Sequence, residues 1–366
     1  MARTPAIALL DDADSAVWQA WLREAGWQLI APAAAPNADI DTRVRTLATA
    51  VEGAIAAGSV DPARVYLAGR GDAAAAVLYT ISRVPDLWAA AAAIGGSPKS
   101  ALDTGRLFST NFALVPILWF GADGTRPLAS QLTAACLNIE WRPPSDSPAQ
   151  LLQWLAGHER DGFPSSVDCE TLSPAFARCY WVHPTKFDAA ERNDVLPSSR
   201  ILGGSGAALD LGAFSFNSGD PGPGVLVTAL PAKYSGPLRA GDRLIALDGK
   251  TIASPRQYLE LMEKFTETKD AAVTVLRGKE RIRLETRVTV PRRDGGVSAR
   301  VRAQYLPAEK EIQIISRTIT QMRVNVPFHW LPATLSWNGL LLENLTQPGC
   351  WSLSVRKELL QAEKCQ

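Results

Sequence analysis

Histidine is scarce in this 366-residue chain: only His158, His183 and His329 occur. A reaction that needs an imidazole base at neutral pH must draw it from these three. The five cysteines, Cys136, Cys169, Cys179, Cys350 and Cys365, contain no C-x-x-C pair. An odd count without paired spacing indicates neither a disulfide framework nor a zinc site. Cys169 and Cys179 could pair across a hairpin, but free thiols are expected, and no metal or other cofactor is indicated. No apolar run approaches the ~18 residues of a membrane span. The alanine runs Ala73–Ala76 and Ala89–Ala93 are too short for one. The opening Met1-Ala2-Arg3-Thr4-Pro5 passes into a strand-like Ala6-Ile7-Ala8-Leu9-Leu10 and then into aspartates. It lacks the apolar length and small-residue cleavage site of an export signal. Charge of one sign is also lacking. The formal net charge is +1, which points away from nucleic acid and anionic membranes as partners.

What is present is the composition of a folded protein, 46% hydrophobic and 20% charged. The length predicts two or three domains at ~100–200 residues each. Residues 1–164 alternate strand-like and helix-like segments. Strands are expected at Ala6–Leu10, Gln28–Ala31, Val65–Ala68, Ala90–Ile94, Pro116–Phe120 and Leu137–Trp141. Helices are expected at Ser15–Ala25, Asp41–Ala57, Asp72–Arg83 and Pro148–His158, the last with Ser147 as N-cap and Pro148 at its first position. This alternation predicts a parallel sheet with flanking helices. The strands are apolar without alternation, as when both faces are covered.

Beyond residue 165 the pattern turns to strands. A strand is expected at Ala177–Val182 and a linker at Lys186–Gly206. After Pro291-Arg292-Arg293-Asp294-Gly295-Gly296, strands are expected at Val297–Tyr305, Glu311–Ile315, Gln321–Val326 and Ala333–Trp337. Asn338-Gly339 then supplies a two-residue hairpin signal. Residues 165–195 and 295–366 thus read as one small β-sandwich-like domain that receives a further module, 200–293, as an insertion. The fold class is multidomain α/β plus β.

That insertion resembles a PDZ domain over about 85 residues. Leu211-Gly212-Ala213-Phe214 is similar to the family's carboxylate-binding loop. Gly224–Leu230 is similar to the core strand that follows. Gly241-Asp242-Arg243-Leu244-Ile245-Ala246-Leu247-Asp248-Gly249 is similar to its most recognisable stretch. A helix over Pro255–Lys264 and a strand over Ala272–Leu276 complete the order. The resemblance implies binding by β-augmentation, in which an extended peptide pairs with a sheet edge and loop amides take its terminal carboxylate. Leu211, Gly212, Ala213 and Phe214 would form that loop, Ser215 and Phe216 the edge, and Pro255, Leu259 and Met262 the helical wall. Such a groove prefers apolar peptide residues. Leu259 and Met262, three apart on a helix, are equally suited to a core. The Gly/Pro/Asp-rich stretch Asn217–Pro223 is expected to shorten or bend the edge.

The N-terminal region resembles an α/β-hydrolase of the prolyl-oligopeptidase or dienelactone-hydrolase type. In that family a strand enters a G-x-S-x-G turn that exposes the nucleophile. Here the frame is Gly69-Arg70-Gly71-Asp72-Ala73, and Gly71 stands where the serine would be. Glycine cannot form an acyl-enzyme. Asp123, in Gly121-Ala122-Asp123-Gly124, matches the position of the family's acid. No histidine follows the last strand in Arg142–Pro148, and Asp11-Asp12-Ala13-Asp14 stands where an oxyanion loop is expected. Those aspartates suit the start of the Ser15–Ala25 helix instead. Ser97 in Gly95-Gly96-Ser97-Pro98 reads as a turn serine. The first strand here corresponds to a later one in the family, which implies a trimmed sheet edge.

The reading favoured by these residues is a non-catalytic scaffold or binding protein whose partners are peptide or protein C-termini. Two alternatives stay open: a divergent serine esterase or peptidase aided by the insertion, and a small-ligand or carbohydrate binder using the vacant hydrolase cleft. The compartment is not legible. Similar proteins are often exported, so the resemblance also allows a processed periplasmic or secreted form.

Overall fold

The computed structural model describes residues 3–10, 13–33, 35, 37–71, 73–145, 147–201, 206–212, 214–217, 219–231, 234–290, 296–356 and 359–365. The chain divides into two compact units. One comprises Met1–Leu102, Arg106–Ile201 and Gly295–Gln366, the other Asp103–Gly105 and Leu202–Asp294.

The first unit opens with β1 (Thr4–Leu9), α1 (Ser15–Ala25), β2 (Gln28–Ile30), α2 (Ile40–Ala56), β3 (Val60–Arg70) and α3 (Ala73–Arg83). It continues with β4 (Ala90–Ile94), α4 (Lys99–Asp103), β5 (Ile117–Phe120), α5 (Arg126–Ala134), β6 (Ile139–Arg142) and α6 (Pro148–Ala156). The six strands form one wholly parallel sheet in the order β2-β1-β3-β4-β5-β6. Strand residues alternate between two buried faces, as a doubly covered sheet requires. Ala6, Ala8, Val65 and Leu67 face α2 and α3, while Ile7, Leu9, Tyr66 and Ala68 face α1 and α6. Local signals set the helix ends. The Asp39 carboxylate accepts from the Thr42 amide at 2.7 Å, and the expected Ser147 cap accepts from the Gln150 amide at 3.4 Å.

The chain then enters β7 (Ser166–Thr171) and β8 (Val182–Phe187). The strand expected at Ala177–Val182 is not there. A short 3-10 turn at Pro174–Phe176 precedes it, Tyr180 sits at φ 54°, and the extended run begins only at Val182. The reason is a tight turn in which the Cys179 and Val182 backbones exchange two hydrogen bonds of 2.9 Å.

The second unit carries β9 (Ala208–Leu209), β10 (Ser215–Phe216), β11 (Val225–Ala229), β12 (Arg243–Leu247), β13 (Lys250–Thr251), α7 (Pro255–Glu263), β14 (Lys269–Arg277) and β15 (Glu280–Thr289). Its strands run β10-β11-β12-β14-β15-β9, all antiparallel, with β13 paired to β12. Its core gathers Val225, Val227, Leu244, Leu247, Val273 and Val275 under α7.

The chain returns to the first unit as β16 (Ala299–Leu306), β17 (Glu311–Arg317), β18 (Ile319–Val326), β19 (Ala333–Trp337), β20 (Leu340–Leu345), β21 (Gly349–Arg356) and β22 (Leu359–Lys364). Two sheets result, β20-β19-β17-β16-β7 and β22-β21-β18-β8, sharing one core that includes Val301, Ile314, Met322, Val324 and Leu353. The Asn338-Gly339 turn joins β19 to β20 with both residues at positive φ.

The expectation of free thiols is overturned at four of the five cysteines. Cys169 is bonded to Cys179 and Cys350 to Cys365, with Cα separations of 5.9 and 5.4 Å, while Cys136 is free and exposed. The second pair faces across the β21–β22 ladder, whose register places Trp351 opposite Lys364. Sequence spacing carries no trace of that register.

Candidate functional site

In an open parallel sheet, ligands bind outside the carboxyl ends of the strands where the strand order reverses. Here that point lies between β1 and β3, and it is where the Gly69-Arg70-Gly71 turn sits. Gly71 adopts φ 55°, its amide donates to the Ile94 carbonyl at 2.7 Å, and a Cβ placed on it would meet no atom within 4 Å. The turn therefore has the left-handed kink and the space of an elbow without a side chain to use it. The cavity beside it, lined by Leu10, Asp14, Trp18, Gly69 and Arg70, measures about 10 Å³. That is room for about one water.

Asp14 holds the N-cap position of α1 yet makes no capping hydrogen bond. Its carboxylate instead lies 3.8 Å from the Arg70 guanidinium, which also stands 5.4 Å from the Trp21 ring centre. The expected capping role thus yields to an ion pair across the mouth of the crevice. Asp11, Asp12 and Asp72 lie outside the described residues. Ser97 is exposed and its Oγ accepts from the Lys99 amide at 3.3 Å, a turn contact.

The three histidines all stand elsewhere. His158 lies two residues past the end of α6, where its Nδ1 bonds the Trp154 carbonyl at 2.9 Å and its own carbonyl accepts from Tyr66 Oη at 3.1 Å. Tyr66 precedes Gly71 by about 16 Å of strand at ~3.3 Å per residue. The next contact along the chain, Arg160 amide to Ala63 carbonyl at 2.8 Å, lies nearer still to the amino end of β3. His183 belongs to β8, with Nε2 3.0 Å from the Tyr180 carbonyl, and burial lowers its pKa. It stands near Asp86, in the turn that precedes the amino end of β4. His329 is exposed on a turn of the β region. Asp123 is exposed in a short turn just past the carboxyl end of β5, and none of the three histidines is hydrogen-bonded to it.

The second unit presents a different kind of site. β10 is an edge strand, paired on one side with β11 through Ser215↔Ala229 and Phe216↔Val227. The preceding loop is shaped by Gly212 at φ 77°, where any Cβ would stand 2.7 Å from the Tyr234 ring. Tyr234 Oη in turn donates to the Leu211 carbonyl. Ala213 lies outside the described residues. The edge ends after Phe216 because Asn217 and Asp220 fold the following chain into a turn. Asn217 Oδ1 accepts from the Gly219 amide at 2.9 Å, and Asp220 accepts from Arg243 at 2.8 Å.

On α7 the expected wall is only partly exposed. Pro255 and Met262 are buried with Tyr258 in the core, and of the three named residues only Leu259, 44% exposed, faces outward. Leu211 is buried as well. Burial on this stripe pushes the Tyr258 hydroxyl up to about 12. What lies between edge and helix is an aromatic run: Phe214 stands 6.1 Å from Phe216, and Phe216 meets Tyr258 edge-on at 5.9 Å. Asp242, in the most recognisable stretch, has a structural task. It accepts from Arg277 at 2.8 and 2.7 Å and from the Arg239 amide at 2.8 Å.

One cluster was not anticipated. Glu170 is fully buried and accepts from Ser198 Oγ at 2.5 Å, the Ser199 amide at 2.6 Å, Ser199 Oγ at 2.7 Å, Arg317 at 3.0 Å and Ser298 Oγ. Beside it, Asp168 pairs with Arg300 at 2.7 Å and Arg302 at 2.9 Å. Ser198–Ser199 and Ser298 flank residues 202–294, so one carboxylate binds both roots of the insertion. The signal in the sequence was the alternation Asp168, Glu170 against Arg300, Arg302, opposite one another in the β7–β16 register.

No protein-family model and no curated protein matches the chain. Among solved structures it is similar to a thermostable esterase, at 15% identity over 43% of this chain and 56% of that one, with a TM-score of 0.33. The match therefore spans little more than half of that esterase. It is also similar to esterase PE8, at 16% identity over 43% of this chain and 93% of the other, with a TM-score of 0.32. A shorter likeness, at 20% identity, covers 19% of this chain and 22% of the HtrA-type protease AlgW solved with a decapeptide, with a TM-score of 0.17. At these identities the likeness concerns fold alone, and for the esterases it covers 43% of the chain.

Proposed function

We propose that this chain is a non-catalytic binding protein in which a PDZ-like insertion takes up extended peptides or protein C-termini, and a degenerate α/β-hydrolase region serves as its platform. The observation that carries this reading is the open edge of β10 beside the half-buried Phe214 and Phe216 and the exposed Leu259. A peptide laid along that edge gains main-chain hydrogen bonds, and the aromatic run receives its apolar side chains. The two-residue edge is short, so side-chain burial must supply much of the affinity. The placement of every histidine away from Gly71 supports the absence of hydrolysis, because a hydroxyl nucleophile without a base is not activated. The cavity of about 10 Å³ at the elbow speaks against a carbohydrate there.

Selection of a C-terminal peptide library on the full chain tests this. Apolar C-termini should be enriched, and Phe216→Asp or Leu259→Asp should weaken the best peptide about tenfold or more, ~1.4 kcal/mol. Absence of any enrichment would leave the insertion a purely structural element. Stoichiometric labelling by a fluorophosphonate would sink the non-catalytic half and favour the esterase alternative.

A further inference from the structure

A cavity of about 270 Å³ opens on the second unit at the C-terminal end of α7. It lies away from the β10 edge. At 100° per residue, Leu261 on its wall stands across the helix from Leu259. Leu247 and Phe265 join Leu261 as its apolar lining. Its charged groups are three lysines against two carboxylates: Lys250, Lys264 and Lys269 with Asp248 and Glu267.

These charges are not equivalent. Asp248 is already satisfied, with Lys269 Nζ at 3.1 Å and the Ala272 amide at 2.9 Å. Lys269 is occupied in turn, since its ammonium also lies 4.9 Å from the Phe265 ring centre. No salt bridge among the described residues holds Lys250 or Lys264; Lys250 acts on Asp248 only from farther off, and Glu267, exposed on the same wall, is one carboxylate against these two ammonium groups. An ammonium has three donors and no acceptor, so what two such groups recruit is an anion.

We propose that this cavity binds a small carboxylate carried on an aromatic or branched aliphatic body. Lys250 and Lys264 take the carboxylate, and Leu247, Leu261 and Phe265 cover the body. A neutral ligand leaves the lysines unused, and a wholly polar anion such as phosphate leaves the apolar wall uncovered. The volume falls just under the ~300–1,000 Å³ usual for drug-sized ligands, which limits the body to about one ring.

The test is a ligand-observed NMR titration of the full chain with 3-phenylpropionate, 3-phenylpropanamide and inorganic phosphate. The carboxylate should bind saturably, about tenfold more tightly than the amide or phosphate, ~1.4 kcal/mol. The double variant Lys250→Gln/Lys264→Gln should lose most of this binding while its thermal unfolding changes little, since both side chains are exposed. Phe216→Asp, at the peptide edge, should bind the carboxylate normally, which separates this site from the peptide reading. Equal affinity for the amide or for phosphate, undiminished binding by the double variant, or no saturable binding would each overturn the proposal.

Discussion

Removing the carboxylate of Glu170 should unfold the first unit far more easily than its single side chain suggests. The group is fully buried and accepts hydrogen bonds from Ser198, Ser199, Ser298 and Arg317. Glu170→Ala strands those donors and leaves the Arg317 charge, 14% exposed, without its counter-ion. Breaking one side of such a buried pair costs ~3–5 kcal/mol, and we expect about 4. Glu170→Gln keeps the volume and one acceptor and should cost about half as much, ~2 kcal/mol. All 11 tryptophans lie outside residues 202–294, so tryptophan fluorescence during urea unfolding reports the first unit alone. Arg317→Met and the double variant complete a cycle, with an expected coupling of about 2 kcal/mol. A loss below ~1 kcal/mol for Glu170→Ala, or a coupling near zero, would refute the clamp, because the donors would then have found other partners.

Three further outcomes follow from the same reasoning. Burial opposes the charged form of Asp242, but the Arg277 fork and the Arg239 amide outweigh it and hold the carboxyl below its usual range. A depressed folded pKa stabilises the second unit above the unfolded value of ~3.9, and that stability drains away as pH falls through the folded value. Fluorotyrosine NMR at Tyr234 and Tyr258 should show this acid limb flattened in Asp242→Asn. Gly71→Ser should fold, because space is open at that site, with a loss of ~1–2 kcal/mol for a side chain at positive φ, and should gain no esterase activity on p-nitrophenyl acetate. Replacing Cys350 and Cys365 together by serine should destabilise the β region by ~3 kcal/mol, read by urea unfolding, as the closed loop spans 15 residues.

Much of the first region was legible residue by residue. The apolar strand runs alternating with amphipathic helices admitted little but a covered parallel sheet, and Ser147-Pro148 and Asn338-Gly339 announced a helix start and a hairpin because capping and turn geometry depend on immediate neighbours. The absence of a side chain at Gly71 was legible in the same way, since a side chain is present or absent whatever the fold. On α7, spacing alone left Leu259 and Met262 open between groove and core. The sheet beneath decided it by burying Pro255, Tyr258 and Met262 and leaving Leu259 out.

The sequence by itself therefore determined most strands and helices of the first region, their alternation, and the lack of a side chain at the Gly71 turn. Tertiary structure alone decided where the histidines lie relative to that place, which cysteines meet, and that Glu170 binds Ser298, 128 residues away, at the root of the insertion. The physical reason is range. Caps, turns and periodicity are settled within a few residues. A disulfide, a buried ion pair or a base near a nucleophile depends on strand registers that join distant segments, and a shift of one residue would turn every such side chain to the opposite face.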